Sequence, residues 1–423
     1  MNKEKMDVVA GIDIGNGYTK GKILVDGDQN FNGEKGLFSL VDMPSDMMMI
    51  VGNTIPQDAT DDLMKDFYQR ARVSILSPAV NNGNETAHFY VGTQAAELVV
   101  GGTGRLTQFN INSSKAKAEE DLSICLILET IASAALEAAW TKKHALPEEI
   151  DVSVWAGLAL PVSDYIETPD AYEKKLCGKA HTVKVWNFGS VPVTVNINFA
   201  RIESTAEGLA CQIELNTRGP ELMQMILDLD TENKYSPEMF LNQTQIMGID
   251  IGSGTTNFVI YGNRDGFSPN SRTINSGIGN VWDAVHNDLK DLKVPNSSSA
   301  ELADFFMQNE NNPNKTGAVT AIRKSLDQRL NILSDEIMKH FNEYTSKMNS
   351  HLDAIMIYGG GAEMVKDRII KDIAESTADL LDPIPVLYIP SKFSRIMNRN
   401  GMYIKAKDAL KKFDSDKFEL WFN

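Results

Sequence analysis

Short apolar runs bounded by glycine, proline or polar residues recur along the chain and predict buried β-strands. A strand end, a glycine turn and a helix start are predicted at residues 89–99. The runs that we interpret as strands cover residues 8–14, 21–25, 151–162, 191–202 and 245–251. These strands are spread over both halves of the sequence, as expected for a chain with more than one sheet.

Helical spacing of apolar residues predicts two long helices, at residues 116–140 and 321–344. Between the predicted strand 191–202 and the next strand, Ser204 and Glu207 match the S-x-x-E capping box of a helix start. The polar stretch 309–317 reads as an exposed loop.

A methionine-rich stretch at residues 43–51 has two interpretations, a partner surface or adaptable core filling, and we favour core filling.

The bulk composition excludes several classes of function. A chain of 423 residues can bury a large core and is expected to form at least two domains. Its net charge of −16 argues against a protein whose main function is to bind nucleic acid directly. The three cysteines form no C-x-x-C pair, and the six histidines show no metal-binding spacing.

The N-terminal residues lack the apolar segment of a signal peptide. We expect no apolar stretch to approach the roughly 20 residues that span a bilayer. We therefore expect a cytoplasmic protein that does not bind a membrane.

The most informative feature is an internal repeat. The stretch GIDIGNGYTK at residues 11–20 is echoed by GIDIGSGTTN at residues 248–257, and each copy follows an apolar run. One such copy is compatible with a glycine-rich hairpin, in which aspartate is also common. Two copies in equivalent settings predict a pair of turns whose backbone N–H groups bind phosphate. The candidate ligand-binding residues are Gly15, Asn16, Gly17, Tyr18, Thr19 and Lys20 in the first copy, and Gly252, Ser253, Gly254, Thr255 and Thr256 in the second.

Charged residues in the repeat extend this prediction to a metal ion. Asp13 and Asp250 end their strands at equivalent positions, and a hydrated Mg²⁺ would relieve the repulsion between two carboxylates. Lys20 offers a point charge for a phosphate, whereas the second copy has Asn257 at that position. A positively charged side chain is therefore expected in the first copy only.

A third glycine cluster follows the apolar run in residues 351–358 and comprises Gly359, Gly360 and Gly361, followed by Ala362. A strand that leads through glycines to a helix suits an adenosine or phosphate group lying against the backbone. A tight turn between strand and helix is the alternative.

The order of four segments, DIGNGYTK, ARIESTAEG, DIGSGTTNFVI and IYGGGAEMV, resembles the superfamily of actins, heat-shock ATPases and sugar kinases. Within it the chain looks most like the bacterial actin-like ATPases of the ParM type, which segregate plasmids. The segments YVGTQAAE, GLALPVSDY, KAHTVKVW and SRIMNRNGMYIKAK carry this likeness. In the last of these, Arg399 stands where the family has alanine in an N-A-x-G helix.

The resemblance implies an α/β fold with two RNase-H-like (actin-like) domains flanking a nucleotide cleft, each with a smaller inserted subdomain. Mapped onto this chain, the first domain covers residues 1–202, with an insertion at about 30–100, and the C-terminal residues 395–423 return to it. The second domain covers residues 203–394, with an insertion at about 285–345.

The resemblance also implies ATP or ADP with Mg²⁺ as cofactors, and filaments whose stability depends on hydrolysis. Asp13 and Asp250 would act in catalysis, and Glu203 would orient the attacking water. DNA would be reached through a ParR-type adaptor protein. Asp164 and Glu363 are weaker candidates, which we interpret as surface or capping residues. The alternatives are a soluble small-molecule kinase, another bacterial or phage actin-like filament protein, and a nucleotide-binding scaffold without catalysis.

Overall fold

The chain forms two compact units in a computed structural model. Unit 1 comprises Met1–Glu214 and Ile396–Asn423, and unit 2 comprises Leu215–Arg395. The structure describes residues 3–31, 33–50, 57–100, 106–109, 115–229, 234–241, 243–262, 266–268, 270–290, 298–347, 352–378 and 383–422, without the side chains of residues 99, 100, 266 and 347.

Unit 1 is built around one large sheet. Its strands are β1 (Lys3–Ile14), β2 (Tyr18–Phe31), β3 (Glu34–Pro44), β4 (Met47–Met49), β5 (Arg72–Leu76), β6 (Phe89–Val91), β7 (Leu106–Thr107), β8 (Glu149–Leu160), β9 (His181–Val185) and β10 (Val193–Ala206). Its helices are α1 (Asp61–Met64), α2 (Gly92–Val100), α3 (Asp121–Lys143), α4 (Val162–Glu167) and α5 (Ala171–Leu176). The helix α6 (Leu209–Leu227) continues from unit 1 into unit 2.

Unit 2 contains a smaller sheet. Its strands are β11 (Ile246–Ile251), β12 (Thr256–Gly262), β13 (Gly266–Phe267), β14 (Arg272–Ile274), β15 (Ala354–Tyr358) and β16 (Val386–Tyr388). Its helices are α7 (Ile278–Asp288), α8 (Ser299–Asn309), α9 (Thr316–Lys347) and α10 (Lys366–Ser376). The chain then returns to unit 1 through α11 (Ser391–Phe413) and ends in α12 (Ser415–Phe422).

The internal repeat of the sequence is also a repeat of topology. In unit 1 the strand order is β3-β2-β1-β8-β10, and the sheet continues beyond β10 with β9-β5-β6-β4-β7. In unit 2 the order is β13-β12-β11-β15-β16, and β14 also pairs with β12. In each unit the repeated segment forms an antiparallel hairpin, β1–β2 or β11–β12. In each unit the first strand of that hairpin has a parallel neighbour on its other side, β8 or β15. The two copies of the repeat therefore occupy the same place in two sheets.

One face of the large sheet is covered by α3, which is buried along almost its whole length. Among the described residues it is the one helix long and apolar enough to cross a bilayer. The expectation that no apolar stretch reaches that length is therefore wrong. Nearly all of its apolar window is buried, however, which is the position of a core helix.

The opposite face of the sheet is covered by α11, whose backbone lies directly on two glycines. A Cβ at Gly11 would collide with the backbone of Tyr403, and a Cβ at Gly157 would collide with the backbone of Met402. Gly11 and Gly157 are register partners on adjacent strands, so together they form a flat strip under the helix. Gly11, the first glycine in the first copy of the motif, is thus required for helix packing.

The strand β10 extends further than its sequence predicts. It continues to Ala206 because it pairs with β8 as far as Leu160, and α6 begins only at Leu209. The predicted capping box is therefore wrong, since Ser204 lies inside the strand and Glu207 lies before the helix. The boundary expected between residues 202 and 203 falls within β10 as well.

Other local predictions agree with the structure or need small corrections. The helices predicted at 116–140 and 321–344 are α3 and α9, and the strand–turn–helix at 89–99 is β6 with α2. In the stretch 43–51, Met43 and Met48 are buried and Met49 is exposed, so core filling holds for part of it.

Glu129 is a buried carboxyl group in the middle of α3. Its Oε1 accepts a hydrogen bond from the Ser133 hydroxyl, and its Oε2 has no partner in the part of the chain that the structure describes. Burial raises the pKa of Glu129 from 4.5 to about 8, opposed by the Ser133 hydrogen bond. The folded protein therefore keeps a proton that the unfolded chain releases between those two pH values.

We predict that Glu129→Gln removes this pH dependence. Between about pH 4.5 and 8 the wild-type free energy of unfolding falls as the pH rises, because only the folded state holds the proton. The free energy of unfolding of the variant minus that of wild type should therefore rise by about 3 kcal/mol from pH 5 to pH 8. Urea denaturation followed by fluorescence at both pH values measures this, with the exposed Glu97→Gln as a control. Equal gains at pH 5 and pH 8 would contradict the prediction.

Candidate functional site

The first copy of the repeat folds into a tight turn between β1 and β2. The N–H of Gly15 donates to the carbonyl of Tyr18 at 2.9 Å. Ser45 braces the turn from outside, since its hydroxyl donates to the Gly15 carbonyl at 2.6 Å and its N–H donates to the Gly17 carbonyl at 3.0 Å. The Thr19 and Ser45 hydroxyls are 3.0 Å apart. The turn is therefore held rigid.

The second copy forms the same turn between β11 and β12. The N–H of Gly252 donates to the carbonyl of Thr255 at 2.8 Å, which matches the bond that closes the first turn. Here the brace is the start of α7, because the N–H of Ile278 donates to the Gly252 carbonyl at 3.0 Å and that of Gly279 to the Ser253 carbonyl at 2.7 Å. The Thr256 hydroxyl donates to the carbonyl of Ser276 at 2.7 Å.

Asp13 is buried at the end of β1, directly across the hairpin from Lys20. Burial raises the pKa of Asp13, and the nearby carboxylate of Glu207 adds to this. Lys20, Lys117 and a hydrogen bond from Asn398 act in the opposite direction. A cation that arrives at Asp13 would therefore stabilise a carboxylate that the protein leaves only partly compensated.

Lys117 and Glu207 form a buried ion pair beside Asp13, with 2.7 Å between Nζ and Oε1. Burial acts to lower the pKa of Lys117, but the carboxylates of Glu207, Asp13 and Asp164 outweigh it and the net shift is upward. Asp164 also accepts a hydrogen bond from the Lys117 backbone at 2.8 Å. We call each strand-end aspartate, with its turn and the residues around it, a half-site. Lys117 is therefore a fixed, protonated cation in the same half-site as Lys20. Asp164 anchors the segment that carries Lys117.

Asp250 occupies the equivalent position in unit 2, buried at the end of β11. Its partner across the hairpin is Asn257, where the first copy has Lys20. The glycine cluster lies against it, because a Cβ on Gly359 would come within 2.5 Å of the Asp250 Oδ1. Gly359 has a φ of +102°, and the N–H of Gly361 donates to the Ile251 carbonyl at 2.8 Å.

The glycine cluster does not lead straight into a long helix. A short 3-10 turn, Ala362–Met364, follows it, and α10 begins only at Lys366. Gly360 is exposed, with open space where a side chain would stand. A ligand could therefore lie against the backbone here, but the N-terminus of α10 is displaced from the glycines by several residues. Glu363 pairs with Lys366 at 3.1 Å, as a surface residue does.

Glu203 lies on β10, in register with Gly157 and so on the sheet face that α11 covers. Asp13 lies on that same face, two residues beyond Gly11. The Glu203 carboxylate is bonded to Arg201, with 3.1 Å between Oε1 and Nε. Its role in orienting water stays a prediction.

No family model matches the chain. No curated protein sequence matches it either.

Solved structures match over nearly the whole chain. The actin-like protein Alp7A is 16% identical and gives a TM-score of 0.60, with 99% of this chain and 100% of that one covered. A non-polymerisable quadruple mutant of pCBH ParM is 18% identical, with a TM-score of 0.57 and coverage of 96% and 100%. The archaeal actin homologue Ta0583 in complex with ADP is 15% identical, with a TM-score of 0.54 and coverage of 96% and 100%.

The chain has the actin-like fold. The predicted two-domain α/β architecture and the resemblance to ParM-type proteins are thus confirmed at the level of the fold.

Several residues of this actin-like chain contribute to the half-sites, although nothing in the repeated motif predicts them. Lys117, Glu207 and Ser45 come from segments distant in sequence from the turns that they support. The pair Gly277 and Gly279 had a signal, since two glycines flank the first residue of α7 in the sequence SGIGN. A Cβ on Gly277 would lie 2.6 Å from the Ser253 carbonyl oxygen, so that position must be glycine.

The donor groups of the actin-like chain suit a nucleotide with a hydrated divalent cation. The turns supply backbone N–H groups for phosphate, and Asp13 and Asp250 supply one carboxylate each. In the described part of the chain no three acidic, histidine or cysteine side chains cluster as a metal cage would require. A cation held mainly through water and phosphate, as Mg²⁺ commonly is, does not need such a cluster.

We predict unequal effects on stability for two neighbouring glycine substitutions. Gly359→Ala should lower the free energy of unfolding by about 2 kcal/mol or more, because its φ is positive and the new Cβ would collide with the Ile251 carbonyl. Gly360→Ala should change it by less than about 0.5 kcal/mol, because its Cβ meets open space. Thermal unfolding of the two variants measures the difference, and equal losses would refute it.

Proposed function

We propose that this chain binds Mg-ATP, hydrolyses it, and polymerises into filaments whose stability depends on the bound nucleotide. The observation that supports this most is the pair of equivalent half-sites. Each has a buried aspartate at a strand end, a turn closed by the same backbone hydrogen bond, and a second segment that braces the turn. A hairpin with a merely structural role does not need that bracing or a buried carboxylate.

The proposed chemistry asks mainly for positioning and charge compensation. The backbone N–H groups of the two turns, other than those of Gly15 and Gly252 that close them, would bind phosphate oxygens, and Lys20 would contribute a positive charge. Gly359, Gly360, Gly361 and Ala362 would line the adenosine group. Bound Mg²⁺ would neutralise charge that develops on the phosphates. Asp13 and Asp250 would each hold that ion through water.

Glu203 is our proposed residue for orienting the attacking water. This role is supported by the position of Glu203, which lies on the same sheet face as Asp13 and two strands away in the order β1-β8-β10. A carboxylate that accepts a hydrogen bond from one water is sufficient for this role. Arg201 would limit the rotamers of Glu203, because it bonds the same carboxylate.

We further propose that the filament segregates plasmid DNA in the cytoplasm through a ParR-type adaptor. The likeness to ParM and Alp7A folds supports a filament protein of this kind. The net charge of −16 supports an adaptor, because a strongly acidic protein does not bind DNA well by itself.

Sedimentation tests the proposed function directly. With Mg-ATP or a slowly hydrolysed ATP analogue the purified protein should pellet, and with ADP or EDTA it should remain in the supernatant. Asp13→Asn and Asp250→Asn should each reduce pelleting at least about tenfold, because each removes one charged partner of the hydrated cation.

Two outcomes would contradict the proposal. A protein that stays monomeric with every nucleotide but phosphorylates an added sugar or organic acid is a kinase of the same fold. A protein that pellets equally with and without nucleotide has no nucleotide-dependent assembly. Circular dichroism of the two aspartate variants should match wild type, which shows that loss of pelleting is not loss of folding.

A second prediction tests Glu203 with a matched control on the same arginine. Arg201 also bonds Glu173 at 3.0 Å, so Glu203→Ala and Glu173→Ala each remove one carboxylate from it. Glu203→Ala should slow phosphate release at least about tenfold with nucleotide affinity retained, because only the orientation of water is lost. Glu173→Ala should release phosphate at the wild-type rate. Equal rates in both variants would remove Glu203 from the mechanism.

A further inference from the structure

Asn398 connects Asp13 to a second part of unit 1. It lies on α11, and its side-chain amide hydrogen-bonds the Asp13 carboxylate. Its Oδ1 accepts a hydrogen bond from the N–H of Gly208 at 3.3 Å. Both polar ends of one side chain are thus used, one on the strand-end acid and the other on the turn between β10 and α6.

The turn that Asn398 contacts is itself fixed from several sides. Gly208 has a φ of +79°, which restricts this position to glycine. The adjacent Glu207 donates its N–H to the Leu160 carbonyl at 2.7 Å, and its carboxylate pairs with Lys117. Lys117 is in turn held by Asp164 through its backbone. Asn398 is therefore braced against a rigid segment when it bonds Asp13.

A role in stability alone does not explain this arrangement. A buried ion pair such as Lys117–Glu207 contributes little net stability, because its desolvation offsets its attraction. Three residues distant in sequence, Asn398, Glu207 and Lys117, instead converge on one carboxylate at the end of β1. A residue that does not itself bind a metal ion can hydrogen-bond a carboxylate that binds the ion, and so fix the orientation of that carboxylate.

We propose that Asn398 is a positioning residue for Asp13, which it orients toward the hydrated cation, and that the Lys117–Glu207 pair holds the turn against which it acts. The inference rests on the proposed function, because it assumes that Asp13 faces a metal–nucleotide complex. It assigns a role in cation binding to a helix that the repeated motif does not include.

The test is the Mg²⁺ dependence of nucleotide affinity, measured by titration of a fluorescent ADP analogue at a series of Mg²⁺ concentrations and in EDTA. Asn398→Ala should raise the Mg²⁺ concentration for half-maximal affinity about tenfold, as loss of such an outer partner does. Its affinity in EDTA should equal that of wild type. A purely structural role would weaken binding in both conditions.

Asn400→Ala is the matched control. Asn400 lies on the same helix and donates to the Glu214 carboxylate at 3.0 Å, which is the same type of bond made to another target. It should leave the Mg²⁺ dependence unchanged. Urea denaturation of both variants reports whether either substitution destabilises unit 1.

If Asn398→Ala does not fold, the double variant Lys117→Met with Glu207→Leu decides the question. Its apolar side chains replace the pair at similar volume, so folding should be retained. Its Mg²⁺ requirement should rise at least about threefold, because the turn under Asn398 is no longer anchored.

The outcomes separate this inference from the proposed function. If wild-type affinity does not depend on Mg²⁺, the proposed function fails and the inference with it. If wild type depends on Mg²⁺ and the folded Asn398→Ala variant, or the double variant in its place, matches it, only the inference is overturned. An equal shift in Asn400→Ala would also overturn it, because the effect would then belong to α11 as a whole.

Discussion

Backbone segments that approach more closely than a side chain permits are the constraint on which both units depend. The helix α11 can lie on the large sheet only because Gly11 and Gly157 have no Cβ, and Gly401 of that helix meets α6 in the same way. In unit 2, Gly248 lies under the Tyr358 ring and Gly277 against the second turn. The repeated motif thus contains glycines of two kinds. The first allows close packing over the strand, and Gly15 and Gly252 allow the turns, because a Cβ there would crowd the carbonyl of Tyr18 or Thr255.

These close approaches also determine where charge is buried. Because α11 lies flat on the sheet, Asn398 reaches the end of β1 and contacts Asp13. The ends of β8 and β10 bring Glu207 to the same place, where Lys117 compensates it. Burying these groups costs free energy that a hydrophobic cluster would not cost. The binding of a polyanion and a cation that we propose would explain why unit 1 retains them.

The parts of the site that could be predicted are those encoded in contiguous residues. A strand, an aspartate, a glycine turn and a second strand are determined by local propensity and alternation, so both turns were predicted with their acids. The supporting residues Ser45 and Lys117 could not be predicted, because they reach the turn only after the sheet has formed. The capping box at Ser204 failed for a related reason. Pairing with β8 extends β10 past it, and a ladder of backbone hydrogen bonds outweighs a local helix-start signal.

The sequence by itself determined the class of fold and the position of both turns, and it predicts the chemical type of their ligand, since a seven-residue match, G-I-D-I-G-x-G, in two strand–turn–strand settings leaves few alternatives. Tertiary structure alone decided which carboxylates surround Asp13 and which cation compensates them. Register and close packing bring together residues that are separated by up to several hundred positions, and no local pattern records which of them will meet.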